Sequence, residues 1–222
     1  MFRDRREAGQ RLANALQHLR GTPGLLVLGM ARGGVPVAAE VAEALLAPLD
    51  VLVVRKIGSP RNPELALGAL TAASEFLDAD MVARTGTTAE ELAPVVARER
   101  GELARREGLY RAGRPPEPVG GRTVIVVDDG LATGASAIAA LRTIQAQHPA
   151  HLVLAVPVAP PESLAAVRPY ADEVVCLETP SAFRAVGAWY RHFGQTSDDE
   201  VRACLADADN RHASHPAGSA TS

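Results

Sequence analysis

The chain has 222 residues, 47% hydrophobic and 22% charged, with a formal charge of −3 and a pI near 6.1. This describes a globular chain of one domain with an elaboration, and it argues against a nucleic-acid binder. No apolar run of about 18 residues is present to cross a membrane, the stretch Met1-Phe2-Arg3-Asp4-Arg5-Arg6-Glu7 lacks the apolar segment of a signal peptide, and Cys176 and Cys204 form neither a disulfide framework nor a metal spacing, as expected of thiols in a cytoplasmic protein.

Residues 4–20 read as an amphipathic helix, with Leu12, Ala15, Leu16 and Leu19 on one side and arginines on the other. Gly21-Thr22-Pro23-Gly24 ends it. The run 25–30 is a buried strand, followed by Ala31-Arg32-Gly33-Gly34 and a helix with Pro36 in its first turn that reaches about Leu46. A second apolar strand, 50–54, is expected to end at Arg55-Lys56. Apolar strands joined by helices define a parallel sheet of right-handed crossovers.

The stretch 57–64 carries prolines and a glycine and has no helical period, and 65–80 alternates weakly, as a hairpin would. Thr88 is a candidate cap for a helix over 88–112 that is dense in Arg and Glu. Interleaved signs favour a solvated, salt-bridged face over an RNA-binding one. Gly113-Arg114-Pro115-Pro116-Glu117-Pro118 reads as a linker back to the core, so 57–120 looks inserted ahead of the 124–127 strand, with its helical segment at about 81–118.

The organising stretch is 124–136. Val124-Ile125-Val126-Val127 is too short for a helix and suits a strand buried on both faces. Asp128 and Asp129 follow where that strand should end. Two unpaired charges side by side cannot be core residues, because burying them costs several kcal/mol. A loop of small residues, Gly130 to Ser136, then leads into the helix former Ala137-Ile138-Ala139-Ala140-Leu141. Gly130 and Gly134 allow a close backbone approach, and free N–H groups at a helix start favour phosphate. A helix dipole adds only about 0.3–1 kcal/mol, against about 1.5–3 kcal/mol for a hydrogen bond to a charged group. Donors, the Thr133 and Ser136 hydroxyls included, should therefore dominate. Asp128 and Asp129 would repel a phosphate held against them and suit hydroxyls or a bridging cation. One phosphate beside a diol fits: a sugar 5-phosphate.

Two other uses of an apolar strand ending in Asp-Asp fit less well. A Walker B segment needs a partner Gly-Lys-Ser/Thr loop, yet the only lysine among 23 basic residues is Lys56, in Arg-Lys-Ile-Gly. A receiver domain would place its acids after the first strand. An ordinary strand-to-helix turn with solvated acids is the bland reading.

The stretch 124–136 resembles the signature of the type I phosphoribosyltransferases, gapless over thirteen residues. The resemblance implies an α/β fold, a parallel sheet flanked by helices on both faces, here with an inserted helical segment and a small C-terminal hood. It implies that Asp128 and Asp129 hold the ribose hydroxyls of phosphoribosyl pyrophosphate and that Gly130, Ala132, Thr133, Gly134, Ala135 and Ser136 form the 5-phosphate cradle. Ala31, Arg32, Gly33 and Gly34 become the pyrophosphate loop, with a non-proline cis peptide expected near Ala31-Arg32. Arg32 and Lys56 would stabilise charge on the leaving pyrophosphate, and Arg61 would be the cation of a loop that closes over the substrate. Magnesium is the implied cofactor, bridging pyrophosphate and ribose hydroxyls, with Asp128 and Asp129 as indirect metal contacts.

The expected reaction moves the phosphoribosyl group to a nitrogen acceptor, most naturally a nucleobase; the alternatives are a non-catalytic sensor of phosphoribosyl pyrophosphate or nucleotides and a phosphate-ester hydrolase. A homodimer is implied by the resemblance alone. Downstream, strands at 152–158 and 173–177 flank a short helix at 162–167, and Trp189, Tyr190 and Phe193 give an aromatic cluster suited to a nucleobase or to capping the sheet. Ser197 is a plausible cap of a last helix. The expected domain spans 1–207 with its hood at about 181–207. The 208–222 tail should be disordered, and His212 and His215 are read as solvated rather than metal-binding.

Overall fold

The structure, a computed structural model, describes residues 1–63, 65–72 and 74–214. In chain order its elements are α1 (Arg5–Ala15), β1 (Leu26–Met30), α2 (Gly34–Leu45), β2 (Leu49–Leu52), β3 (Arg55–Gly58), β4 (Ala66–Leu70), β5 (Glu75–Leu77), α3 (Ala79–Thr85) and α4 (Ala89–Arg111). There follow β6 (Thr123–Val127), α5 (Ala135–Gln145), β7 (His151–Val158), α6 (Pro161–Val167), β8 (Glu173–Glu178) and α7 (Asp198–Ser214). A five-stranded sheet with order β2-β1-β6-β7-β8 is parallel throughout.

Period-two alternation in these short apolar runs builds a core on each face. Val27, Ile125, Val127 and Val153 point to one face, under α1 and α2. Leu26, Leu28, Val124 and Val126 point to the other, under α5 and α6. Burying each such side chain contributes about 1.5–3 kcal/mol, so the sheet is the stable platform from which the loops project.

The expected 50–54 strand is cut short. β2 stops at Leu52, and Arg55-Lys56 instead opens β3 of a separate antiparallel sheet, β3-β4-β5. Val53 and Val54 belong to neither sheet and link the two, a break in pairing that an unbroken apolar run does not reveal. The 65–80 hairpin forms as β4 and β5. The segment between β2 and β6 accordingly carries the strands β3 to β5 ahead of the helices of 81–118. Its long helix α4 opens on a capping box between Thr88 and Glu91.

The face of α4 is only partly the solvated surface its composition suggests. Glu99 is buried between Arg55 and Arg98, and Arg111 is buried between Glu107 and Asp50. Arg111 also donates to the Val51 carbonyl at 2.7 Å, while Asp50 accepts from the Val51 and Glu117 amides. Every polar group of this knot has a partner, which is the condition for tolerating charge inside.

The C-terminal helix also departs from expectation. Glu200 N donates to Ser197 Oγ, which caps α7, and the helix continues to Ser214 rather than ending near 208. Val201, Leu205 and Ala208 bury one stripe in a sequence too polar on average to show how far the helix runs. His215 and the rest of the expected tail lie outside the described residues. Among the described residues, no helix is long and apolar enough to cross a membrane.

Removing the cation from the Asp50–Arg111–Glu107 knot leaves the buried Asp50 and the half-buried Glu107 without a countercharge. Arg111→Leu is expected to cost about 3–5 kcal/mol by urea denaturation. Arg105→Ala, on the exposed face of α4, should leave the midpoint where it is.

Candidate active site

The site follows from strand register. β1 and β6 are parallel neighbours, with Gly29 beside Val127, so the loops that leave them emerge together at one rim of the sheet. The two loops touch. A Cβ on Gly33 would fall 2.1 Å from Asp129 Oδ2, and one on Gly34 would fall 2.5 Å from the Val127 carbonyl and 2.9 Å from Asp128 Cα. Glycine is required here because any side chain would push the loops apart. The peptide Ala31-Arg32 is cis.

Beyond the acids the chain turns through Leu131, whose N–H donates to the Val158 carbonyl at 2.9 Å. Ser163 Oγ donates to the Ala132 carbonyl at 2.5 Å and so pins the loop to α6. Gly134, at φ +78°, caps α5 in a conformation that a side chain would oppose. Ala132, Thr133, Ala135 and Ser136 are exposed, and the first-turn N–H groups of α5 have no intrahelical acceptors. This is an open anion cradle at a helix N-terminus.

Asp128 and Asp129 are half-buried. Asp129 N donates to Asp128 Oδ1 at 2.9 Å. Burial pushes the Asp128 carboxyl well above the ordinary carboxylate range, and the Asp129 charge adds to the effect. Burial raises Asp129 as well, opposed by Arg5. Arg5, from α1, grips Asp129 Oδ2 through Nε and Nη2, both at 2.8 Å, donates to the Gly194 carbonyl at 2.7 Å and stacks 4.0 Å over the Phe193 ring. Nothing in the sequence separates Arg5 from its neighbours on an arginine-rich helix.

The aromatic cluster divides its work. Tyr190 is buried, tilts against Phe2 at 5.4 Å and donates its hydroxyl to the Asp129 carbonyl at 2.6 Å; burial raises its pKa. It joins the chain's first residues to the back of the acidic loop. Phe193 instead faces an open cleft of about 420 Å³ that Arg5, Arg32, Gly33, Asp129 and Thr196 also line. Thr196 is 3% exposed, and its hydroxyl has no hydrogen-bond partner among the described residues.

The rim therefore gathers residues 31–34 and 128–136, every sequence-selected position but Lys56 and Arg61. Lys56 lines a different cleft of about 300 Å³, with Arg55, Ser59, Arg98 and Glu99. Arg61 pairs with Glu91 at 2.8 Å at the start of α4. Among the described residues there is no cluster of three or more His, Cys, Asp or Glu able to hold a metal.

A family model described as "Phosphoribosyl transferase domain" matches residues 6–190. The chain belongs to the phosphoribosyltransferase family. Two Mycobacterium tuberculosis proteins, from strains CDC 1551 / Oshkosh and ATCC 25618 / H37Rv, each named "Putative phosphoribosyl transferase", are 50% identical over 206 residues, 92% of this chain and 46% of theirs. The chain thus spans about half the length of these curated relatives. Among solved structures, TT1426 from Thermus thermophilus is 45% identical with a TM-score of 0.84, covering 93% of this chain and 98% of that one. The uracil phosphoribosyltransferase of Clostridioides difficile is 44% identical over 59 residues, 27% of this chain and 28% of that protein. The parallel sheet flanked by helices is the architecture expected from the sequence.

Two stability effects follow. A raised Asp128 pKa means that the folded state binds the proton more tightly than the unfolded chain. Its favourable contribution is present below the unfolded pKa and is lost as pH rises through the folded one. At neutral pH Asp128 is a net cost. Asp128→Asn keeps an acceptor for the Asp129 amide and should raise Tm at pH 7, the gain vanishing below the ordinary carboxylate range. An unpartnered buried hydroxyl costs about 1–3 kcal/mol, so Thr196→Val should leave the apo Tm equal or higher, by calorimetry.

Proposed function

We propose that this site transfers a 5-phosphoribosyl group from phosphoribosyl pyrophosphate to a nitrogen acceptor, most naturally a nucleobase, releasing pyrophosphate. The observation that carries the reading is the contact of Gly33 and Gly34 with Asp128 and Asp129, which sets a cation-bearing glycine loop and an anion cradle on either side of one acidic pair. The exposed N–H groups and hydroxyls of 132–136 would hold the 5-phosphate. Asp128 and Asp129 would accept the ribose hydroxyls and favour the cationic character that the sugar acquires as its C1–O bond breaks. Arg32 and the amides of 31–34 would hold the departing pyrophosphate.

The donor set fits a magnesium that arrives with the pyrophosphate. Two carboxylates, one of them already engaged by Arg5, are too few for a protein cage, and magnesium characteristically keeps waters and substrate phosphates. Asp128 and Asp129 would hold it through water, and it would neutralise charge on the leaving group. Arg61 belongs to the loop proposed to close over the cleft and exclude water, and Lys56 precedes that loop on β3. The relative named a uracil phosphoribosyltransferase supports a nucleobase acceptor.

Incubation with labelled phosphoribosyl pyrophosphate, magnesium and a panel of bases tests this, the expected outcome being a ribosylated base and stoichiometric pyrophosphate. Binding without turnover would instead identify a sensor, and release of inorganic phosphate alone a hydrolase. Asp128→Asn combined with Asp129→Asn should abolish transfer while far-ultraviolet circular dichroism stays native. Normal turnover by that double variant would remove the acidic pair from the mechanism.

A further inference from the structure

Three groups from elements distant in sequence meet at Arg32. Tyr110, one residue before the end of α4, is 3% exposed and donates its hydroxyl to Asp198 Oδ1 at 2.6 Å. Asp198, the first residue of α7, lies 3.8 Å from Arg32 Nη1. Arg32 in turn lines the cleft with Gly33, Asp129 and Thr196. The inserted helix and the C-terminal helix thus converge on the one arginine of the 31–34 loop.

The geometry distinguishes the two contacts. At 2.6 Å the Tyr110 bond is short and charge-assisted, and it fixes the carboxylate from a buried ring. At 3.8 Å the Asp198–Arg32 contact is electrostatic and not a hydrogen bond, so the guanidinium keeps its donors for a ligand. Both partners are partly exposed, at 35% and 41%, so solvent screens the pair and its effect on fold stability is small. What it does is bias direction. A long arginine samples many rotamers, and a fixed carboxylate beside it favours those near the cleft. The Tyr110 hydroxyl, pushed up to about 12 chiefly by burial, remains a donor at every physiological pH.

We propose that Tyr110 and Asp198 are positioning residues, the tyrosine fixing Asp198 and Asp198 holding the Arg32 guanidinium toward the pyrophosphate of bound phosphoribosyl pyrophosphate. The proposal rests on the transferase reading above, and it gives the inserted helix a part in the site.

A tether between α4 and α7 would use the same contacts, so the test compares two ligands that differ only at the pyrophosphate. Calorimetric titration of the full chain with magnesium measures phosphoribosyl pyrophosphate against ribose 5-phosphate, which keeps the phosphate and the diol. Asp198→Asn, which can still accept from Tyr110, is expected to weaken phosphoribosyl pyrophosphate about tenfold and Tyr110→Phe about threefold, with Asp198→Glu recovering most of the loss. Ribose 5-phosphate, titrated into the millimolar range, should change by less than about twofold, since its contacts lie on separate elements. Unchanged phosphoribosyl pyrophosphate binding in both variants would overturn the proposal, as would equal loss of both ligands, which marks a tether. A wild-type chain that binds no phosphoribosyl pyrophosphate would overturn the transferase reading first and this inference with it.

Discussion

The site depends on one packing constraint: two loops from neighbouring parallel strands must touch without side chains between them. β1 and β6 set the distance through their hydrogen-bonded register, and Gly33 and Gly34 make contact with the acidic pair possible. Separate the strands by one more, or add one methyl at Gly33, and the arginine of one loop no longer shares a cleft with the carboxylates of the other. The rest of the architecture serves this adjacency. Two apolar layers hold the sheet, α5 presents its N-terminus to the cradle, and α6 pins that cradle through Ser163.

Electrostatics then works against the fold and for the site. Asp128 and Asp129 sit where burial raises both pKa values, so the empty protein carries an unfavourable pair. Arg5 relieves one member, and no cation in the described cleft relieves the other to the same degree. Ligand hydroxyls or a water-bridged cation would supply what is missing, so binding energy and fold stability are traded at the same atoms. The ion-pair knot around Arg111 shows the opposite solution. There every charge is compensated within the chain, and it fastens the inserted segment to β2.

Much of this was legible in the sequence because it is local. A run of four β-branched residues, two acids and a small-residue loop constrain one another within thirteen positions, and the 31–34 loop follows the same logic, while its cis peptide was implied by the family resemblance alone. What escaped depends on contacts between distant segments. Arg5 is one of five arginines in the first twenty residues, and only the fold selects it for Asp129. Val51 to Val54 read as one strand because apolarity does not record where strand pairing stops, and Val53 and Val54 link two sheets without joining either. Glu99 and Arg111 looked solvated because composition averages over the faces of α4. The stripe of Val201, Leu205 and Ala208 was hidden for the same reason, in a helix whose start Ser197 marks but whose mean polarity conceals its length.

The way the chain's first residues lie against its late ones has a practical corollary. Phe2 bridges to Tyr190, the Arg191 amide donates to the Phe2 carbonyl, and Arg5 spans from α1 to Asp129, Phe193 and Gly194. The segment that the family model matches runs from 6 to 190. A fragment trimmed to those limits would keep both glycine loops yet discard the guanidinium that balances Asp129, the ring and hydroxyl on the far wall, and the carboxylate beside Arg32. Half of the cleft is thus built from residues outside the limits of the family model, and its two walls come from opposite ends of the chain.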